Sequence, residues 1–265
     1  MNDIISASQA AYIHSHKKMH SFIAISRIII LIGFIALWEV SVDLKWIDGF
    51  FFSSPRRVMQ CIYRLFIKNE LFAHCGITLL ETIISFTLVT ILSILIATLL
   101  WYSKKLSDIV EPFFVILNSL PKSALAPLFI VWLGTGMVTI IVAGISVALF
   151  GSIISLYAGF KQIDEEKIKL IYTLHGTKKD VFTKVVMPGS IPTLLSSMKV
   201  NIGLALVGVI IGEFLSARKG LGYLIIYGSQ VFQLDLVISS IFILCMIAMG
   251  LYLCIQYLEH WYKKH

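Results

Sequence analysis

Residues 137–160 read MVTIIVAGISVALFGSIISLYAGF, a stretch of 24 residues without a charged side chain. A helix needs about 20 predominantly apolar residues to cross the hydrocarbon core of a bilayer. The stretch therefore predicts a transmembrane helix, and it sets the class of the whole chain.

Five further apolar segments flank this one, and together they predict an all-α polytopic membrane protein with about six spans. Hydropathy places them at residues 22–43, 77–102, 110–133, 190–212 and 235–257. Three prolines, Pro112, Pro121 and Pro127, interrupt the third span of the six, and a tight turn at residues 133–136 separates it from the fourth.

The composition excludes most other classes of protein. The chain has 265 residues, of which 58% are hydrophobic and only 14% are charged, whereas soluble domains carry about 25% charged residues. A soluble enzyme, a disordered protein and a coiled coil are all excluded. The net charge of +7 reflects basic residues retained in cytoplasmic loops. Nucleic acid is not an expected partner, because no basic stripe is interleaved with exposed aromatic residues.

The distribution of lysine and arginine predicts the orientation. With six spans both termini lie on one side, which would hold 13 basic residues against 7 on the other. The richer side is expected to be the cytoplasm. The predicted organisation is a cytoplasmic tail at 1–21, a membrane domain at 22–258 that includes a cytoplasmic loop at 161–189, and a cytoplasmic tail at 259–265.

The third span carries polar residues that lipid does not favour. Lys122 lies between Pro121 and Pro127, and a broken helix at membrane depth is tolerated only inside protein or beside a wet cavity. One interpretation is a wall of a translocation path; the other is a cytoplasmic helix end from which Lys122 reaches the headgroups. On the first interpretation the expected path residues are Asn118, Ser119, Pro121, Lys122 and Asn201.

Small residues form stripes on the fourth and fifth spans. They recur at helical spacing, which favours close helix packing over pore lining. The expected packing residues are Gly144, Ala148, Gly151, Ser155, Gly208 and Gly212. On the fifth span Lys199 is expected to reach the headgroups, and Glu213 to pair with Arg218 or Lys219.

The loop at 161–189 is long for a connector. It predicts a helix from Lys167 to Leu174, a break at residues 175–177, and a second short helix from Lys178 that Pro188 stops. Val181 and Phe182 would give the second helix an apolar face, which predicts docking of a soluble partner.

Motifs of catalysis and metal binding are absent from the sequence. There is no GxxxxGK[ST] phosphate loop, no HExxH and no GxSxG. His74 and His175 have no second histidine at ligand spacing, so no catalytic residue and no metal site is predicted.

Four motifs resemble one known family, over roughly residues 30–258. They are Trp38-Glu39 with Ser54-Pro55; residues 120–128 followed by Trp132-x-Gly134-x-Gly136; residues 174–177 with 185–188; and Glu213 with residues 220–223. The chain resembles the inner-membrane permease subunit of a binding-protein-dependent ATP-binding cassette importer, and within that family the nitrate, sulfonate and taurine type. The third motif is similar to the family's coupling motif.

The coupling motif departs from the family pattern in two places. Lys169, Leu170 and Ile171 stand where the family has Glu-Ala-Ala, and His175 stands where it has glycine. Gly176 follows one residue later, and we expect it to supply the positive φ of the turn instead.

The resemblance implies a type I importer fold in a bacterial inner membrane, with two copies of the permease forming the path. A cytoplasmic ATPase would bind ATP and Mg²⁺ and grip the coupling helix, while this chain binds no cofactor. The implied coupling residues are Leu174, His175, Gly176, Thr177, Lys178, Asp180, Val181, Phe182 and Pro188, with Val181 and Phe182 filling a groove on the ATPase. An extracytoplasmic solute-binding protein would dock on loops including 44–76 and 213–234. The alternatives are a self-sufficient carrier or channel and, with less support, a membrane enzyme.

Overall fold

The computed structural model describes residues 7–264, and within this range every regular element is helical. The short elements are α2 (Gly49–Phe52), α3 (Pro55–Ile67), α5 (Lys104–Ser119), α6 (Lys122–Leu133), α8 (Glu165–Thr173), α9 (Lys178–Val181), α10 (Met187–Gly189) and α12 (Leu221–Gln230). The long elements are α1 (Ala7–Asp43), α4 (Glu70–Tyr102), α7 (Met137–Lys161), α11 (Ile191–Ser216) and α13 (Leu234–Lys264).

The predicted all-α class with about six spans is confirmed. Within residues 7–264, five helices are long and apolar enough to cross a membrane, and the bent pair of α5 and α6 supplies a sixth span when counted as one. The predicted tails are largely helical, because α1 begins at Ala7 and α13 runs on to Lys264. Residues 1–6 and 265 of those tails lie outside the described residues.

The third predicted span breaks at one proline only. α5 and α6 meet at an angle of 96°, and Leu120 between them is extended, with ψ at 141°, as expected for the residue before a proline. Pro112 and Pro127 lie inside helices, so the expectation that all three prolines break the span was wrong. The decisive break is at Pro121.

The bent pair runs from one end of the helix bundle to the other. α5 begins next to the last residue of α4. The turn after α6, at Thr135 and Gly136, lines a cavity together with Ile77 and Glu81 near the first turns of α4. The pair is therefore a broken span that connects opposite ends of α4.

Helices α7 and α11 approach each other where glycines meet. A Cβ added to Gly208 would lie 2.7 Å from the Cα of Gly144, and a Cβ added to Gly212 would lie 2.9 Å from the Cα of Ile140. Ala148 is fully buried, and the Ser155 hydroxyl lies 3.0 Å from that of Ser197 on α11. These positions of the small-residue stripes lie in the contact between the two helices.

Helix α1 joins the rest of the fold near its last turns. The Glu39 carboxylate accepts hydrogen bonds from the Ser54 hydroxyl at 3.3 Å and the Arg56 amide at 3.0 Å, so it caps the start of α3. The earlier part of the α1 span exposes large apolar side chains such as Ile30, at 71%. This surface is suited to lipid.

Candidate functional site

The loop between α7 and α11 is folded. Asp164 begins α8 by accepting a hydrogen bond from the Glu166 amide at 2.9 Å. A turn at residues 174–177 then leads into α9, a π-helical turn (Phe182–Val186) and α10. This arrangement, residues 164–189, is called the coupling loop below.

His175 takes the left-handed conformation at the turn, with φ at +57°. Its amide donates to the Tyr172 carbonyl at 3.0 Å, and the Gly176 amide donates to the Ile171 carbonyl at 2.9 Å. This is the Schellman pattern that ends a helix, and it normally has glycine at the left-handed position. The expectation that Gly176 supplies the positive φ was therefore wrong: the strained residue stands where the family has glycine.

Gly176 is required for a steric reason. A Cβ at this position would lie 2.4 Å from Cγ2 and 2.8 Å from the carbonyl oxygen of Ile171. The second contact is with backbone, which cannot rotate away, so an added methyl group would push the turn away from the end of α8.

We predict opposite effects for substitutions at these adjacent positions. His175→Gly removes the left-handed strain and should stabilise the turn by about 1 kcal/mol, whereas Gly176→Ala should destabilise it. Hydrogen–deuterium exchange of peptides covering residues 165–185 measures both changes: about fivefold slower exchange in the first variant and faster exchange in the second. Equal exchange in the two variants would contradict this account of the turn.

Thr177 and Asp180 form a reciprocal cap at the start of α9. The Asp180 amide donates to the Thr177 hydroxyl oxygen at 3.3 Å. The Asp180 carboxylate accepts from the Thr177 hydroxyl at 2.6 Å and from its amide at 2.9 Å. Hydrogen bonds from Thr177 and the nearby Lys184 ammonium lower the pKa of Asp180 to about 2, so this cap keeps its charge at neutral pH.

Val181 and Phe182 face the membrane helices of the same chain. Val181 is 0% exposed, in a cluster with Ala97 and Phe160. The Phe182 ring lies 5.2 Å from the Trp101 ring, between centroids. The expectation that these two side chains fill a groove on a partner is therefore corrected, because burial already places them in this chain's own core.

Lys178 fixes the same end of the loop to α4. Its ammonium donates to the Tyr102 carbonyl at 2.8 Å and lies 5.5 Å from the centroid of the Trp101 ring. A lysine at a helix C-terminus satisfies a free carbonyl and opposes the helix dipole. Lys178, Val181 and Phe182 together clamp the coupling loop to α4 and α7.

Pro188 does not stop the second helix. Pro188 lies inside α10, which ends at Gly189, and Ser190 is a turn residue, with φ −93° and ψ −2°, between α10 and α11. A proline cannot donate its amide and its ring crowds the carbonyl four residues earlier. The chain meets this demand with the π-helical turn before Pro188, so the prediction of a stop was wrong.

The end of α8 and the residue after it expose large apolar side chains. Leu174 is 70% exposed, Leu170 58% and Tyr172 47%, although all three are large and apolar. Large apolar side chains that are exposed on a folded loop are candidates for contact with another protein. We call these three residues the tip patch.

The predicted path residues lie at the bend of the third span. Asn118, Ser119 and Pro121 are exposed, and Lys122 is half-buried and donates from its ammonium to the Asn118 carbonyl. A Cβ added to Gly151, near the middle of α7, would lie 3.3 Å from Asn118 Oδ1. These residues form one polar group at mid-bundle, and their role in a path stays a prediction.

Asn201 lies away from that group. It is 4% exposed, and its amide nitrogen donates to the Ser152 hydroxyl at 2.8 Å. It therefore joins α7 to α11 inside this one chain and does not face the bend. Lys199, expected to reach the headgroups, instead forms an ion pair with Glu259 at 2.5 Å.

A buried polar stripe on α4 was not predicted from the sequence. Thr78, Glu81, Thr82 and Ser85 are all at most 2% exposed, and they recur at helical spacing. Glu213, expected to pair with Arg218 or Lys219, instead accepts a hydrogen bond from Thr78 Oγ1 at 2.7 Å. A lone carboxyl in an apolar span was the available signal, since ionisable residues there are rare and have partners.

The geometry defines a class: a multi-span helical membrane protein with a broken third span and a folded loop clamped to its membrane helices. The family of binding-protein-dependent transport system inner membrane components matches residues 89–264. The chain belongs to that family, as a type I importer permease.

Curated relatives agree with this family. A probable ABC transporter permease of Haemophilus influenzae is 30% identical, over 84% of this chain and 91% of its own. A formylaminopyrimidine transport permease of Halalkalibacterium halodurans is 27% identical over 92% and 98%. A putative aliphatic sulfonates transport permease of Bacillus subtilis is 26% identical over 80% and 77%. The sequence-based identification as an importer permease similar to the sulfonate type is confirmed.

A solved structure shows the same fold. An inward-facing form of the MetNI methionine ABC transporter matches with a TM-score of 0.61 and 18% identity, over 70% of this chain and 92% of that chain. The predicted importer permease fold is confirmed.

Proposed function

We propose that this permease carries a small solute across the membrane when separate ATP-hydrolysing subunits pull on the tip patch. One observation carries the proposal: the patch is apolar and exposed, yet it sits on a loop clamped to the membrane helices. A partner that binds the tip therefore has a firm connection to the bundle. ATP and Mg²⁺ would be bound by those subunits, not by this chain.

The clamp defines how force would travel. A displacement of the tip would move α9, whose Val181 is packed against α4 and α7, and it would pass into α11 through α10 and the turn at Ser190. Packed helices move as rigid bodies because close-packed interiors deform little. The three helices would thus tilt together between an inward-open and an outward-open state.

A second copy of this chain is the proposed companion in the membrane. Asn118 and Ser119 are exposed at the bend, and polar groups at that depth need protein or water beside them. Two copies that face each other across these bends would enclose a wet path between them. Lipid would cover the remaining apolar surface, such as that of α1.

The sidedness and the solute follow from the same proposal. The coupling loop and both termini would lie in the cytoplasm of a bacterium, and a solute-binding protein would dock on the opposite face, including 44–76 and 213–234. The solute would be a small organic compound, such as the formylaminopyrimidine and sulfonates of the named relatives. Lys122 at the bend suits an anion, which favours a sulfonate.

We predict that Leu174→Arg separates the permease from its ATPase subunits. A charge at the centre of an apolar contact should lower copurification of the ATPase by at least about tenfold. The chain itself should stay folded, because Leu174 is 70% exposed. The assay is affinity purification of the tagged permease co-expressed with its cognate ATPase subunit, with MgATP hydrolysis measured in the eluate.

The matched control is Leu106→Arg. Leu106 is apolar and 40% exposed near the start of α5, outside the coupling loop. Copurification that is unchanged in Leu174→Arg, or equally lost in both variants, would contradict the proposed role of the tip patch. Gradient-driven solute uptake by liposomes holding this chain alone would favour a self-sufficient carrier instead.

A further inference from the structure

Two carboxyl groups lie side by side inside the bundle, on α4 and α11. Glu81 is 2% exposed and Glu213 is 1% exposed, and Thr78, which lies one helical turn before Glu81 on α4, donates to the Glu213 carboxylate at 2.7 Å. Two negative charges in contact at a buried position repel strongly, so such pairs do not both ionise readily. Two buried carboxyl groups this close along the α4 and α11 contact need a proton or a cation to offset one of the two charges.

The surroundings of Glu213 favour its charged form. One oxygen accepts from Thr78 Oγ1 at 2.7 Å, and the other accepts from the Gly222 amide at 2.5 Å. Gly222 lies in the first turn of α12, where the helix dipole favours an anion. These hydrogen-bond donors and the helix dipole stabilise the negative charge of an ionised Glu213 carboxylate.

The surroundings of Glu81 are different. Its Oε2 atom is buried and has no hydrogen-bond partner among the described residues, and it lies one helical turn from Thr78, which bonds to Glu213. An ionised carboxylate is only an acceptor, so it cannot bond to a second carboxylate. A protonated carboxyl group at Glu81 can donate a hydrogen bond to Glu213. Because it is neutral, it needs no positive charge beside it.

Within residues 7–264, no basic side chain takes the place of a proton by forming an ion pair with either carboxyl group. Arg218 and Lys219 line the cavity of about 350 Å³ next to Glu81, yet within residues 7–264 neither forms an ion pair with Glu81 or Glu213. His74, on the same face of α4, is hydrogen-bonded to the Gly220 backbone. Tyr223 of α12 stacks on His74, and the first turns of α7 bring only uncharged residues to this end.

We propose that Glu81 and Glu213 share one proton, carried by Glu81, and that this proton holds the turn between α11 and α12 against α4. The turn is already built around the pair. A Cβ at Gly220 would lie 2.4 Å from the Glu213 carboxyl group, and the Leu221 amide donates to Thr78 Oγ1 at 2.9 Å. Loss of the proton would place a second charge in this joint and loosen it.

The test compares glutamine substitutions in the purified full-length chain. Glu81→Gln copies the neutral acid, because its amide can donate to Glu213, and it should melt at or above the wild-type temperature. Glu213→Gln removes the charge that Thr78 and Gly222 satisfy, and it should melt at least about 5 °C lower. Glu70→Gln, which neutralises an exposed carboxylate on the same helix, is the control and should melt like the wild type.

Two further readouts bear on the proton itself. Infrared difference spectra between wild type and Glu81→Gln should contain the carbonyl band of a protonated carboxylic acid. The wild type should also lose stability as the pH is raised into the alkaline range, because the folded state binds the proton that the unfolded chain releases. Glu81→Gln should lack most of that loss.

Three results would overturn the proposal. One is a Glu81→Gln variant that melts as low as Glu213→Gln. Another is the absence of the protonated-acid band. The third is a wild-type melting temperature that rises with added Na⁺ or Mg²⁺ at constant ionic strength, because a metal cation would then lie between the two carboxyl groups.

Discussion

Val181→Asp is expected to abolish ATP-driven transport while leaving the chain in the membrane. Val181 is 0% exposed in an apolar cluster, and an unpaired carboxylate at such a site costs about 4 kcal/mol or more. The coupling loop, which that cluster holds to α4 and α7, would then detach. The apolar spans would be unaffected, because none of them depends on Val181 to stay in lipid.

Limited proteolysis of inverted membrane vesicles measures whether the coupling loop detaches. ATP-driven uptake measures whether transport is lost. Val181→Asp should be cut within residues 164–189 under conditions that leave the wild-type loop intact, and uptake should fall to background. Thr183→Asp is the matched control, since it places the same charge two residues further on an exposed face. Normal uptake by Val181→Asp, or equal damage in the control, would show that the clamp is not required.

Gly208→Ala is expected to destabilise the bundle by about 2–3 kcal/mol, a loss of roughly 5–10 °C in melting temperature. The added methyl carbon would lie 2.7 Å from the Cα of Gly144 and 2.8 Å from the carbonyl oxygen of Ala143. Both contacts are with backbone, so relief requires α7 and α11 to move apart along the stripe on which they meet.

Gly203→Ala, on the same helix, is the control for that substitution. A Cβ at Gly203 would have no heavy atom within 4 Å, and alanine is the better helix former, so this variant should equal or exceed the wild type in stability. The measurement is the melting temperature of each variant in detergent, compared with that of the wild type. A Gly208→Ala protein as stable as Gly203→Ala would mean that the two helices are not in close contact.

The sequence predicted the elements that depend on local pattern. Long apolar runs must be helices in lipid, so the spans could be located within a few residues of their ends. The tight turn at Gly134 and Gly136 was also predictable, and both residues have positive φ, at 79° and 133°. These features can be predicted without knowing which helices pack against each other.

The features that the sequence did not predict depend on neighbours distant in the chain. Val181 and Phe182 form an apolar face, but whether it meets a partner or this chain's own Trp101 and Phe160 depends on how the loop folds back. Hydropathy averaged over a span likewise concealed Glu81, whose partner lies on α11. The positive φ of His175 could not be predicted from the sequence pattern either, because the hydrogen bonds of the surrounding turn hold that conformation.

The attachment of α1 near its last turns has a topological consequence. Glu39 ties this helix to the start of α3, and the family match begins later, at residue 89. A chain without α1 would keep the contacts among α4, α7 and α11 but would cross the bilayer one time fewer. With the bent pair of α5 and α6 counted as one span, the start of the shortened chain would then lie on the face opposite to the end of α13, so α1 sets the number of crossings between α3 and whatever precedes it.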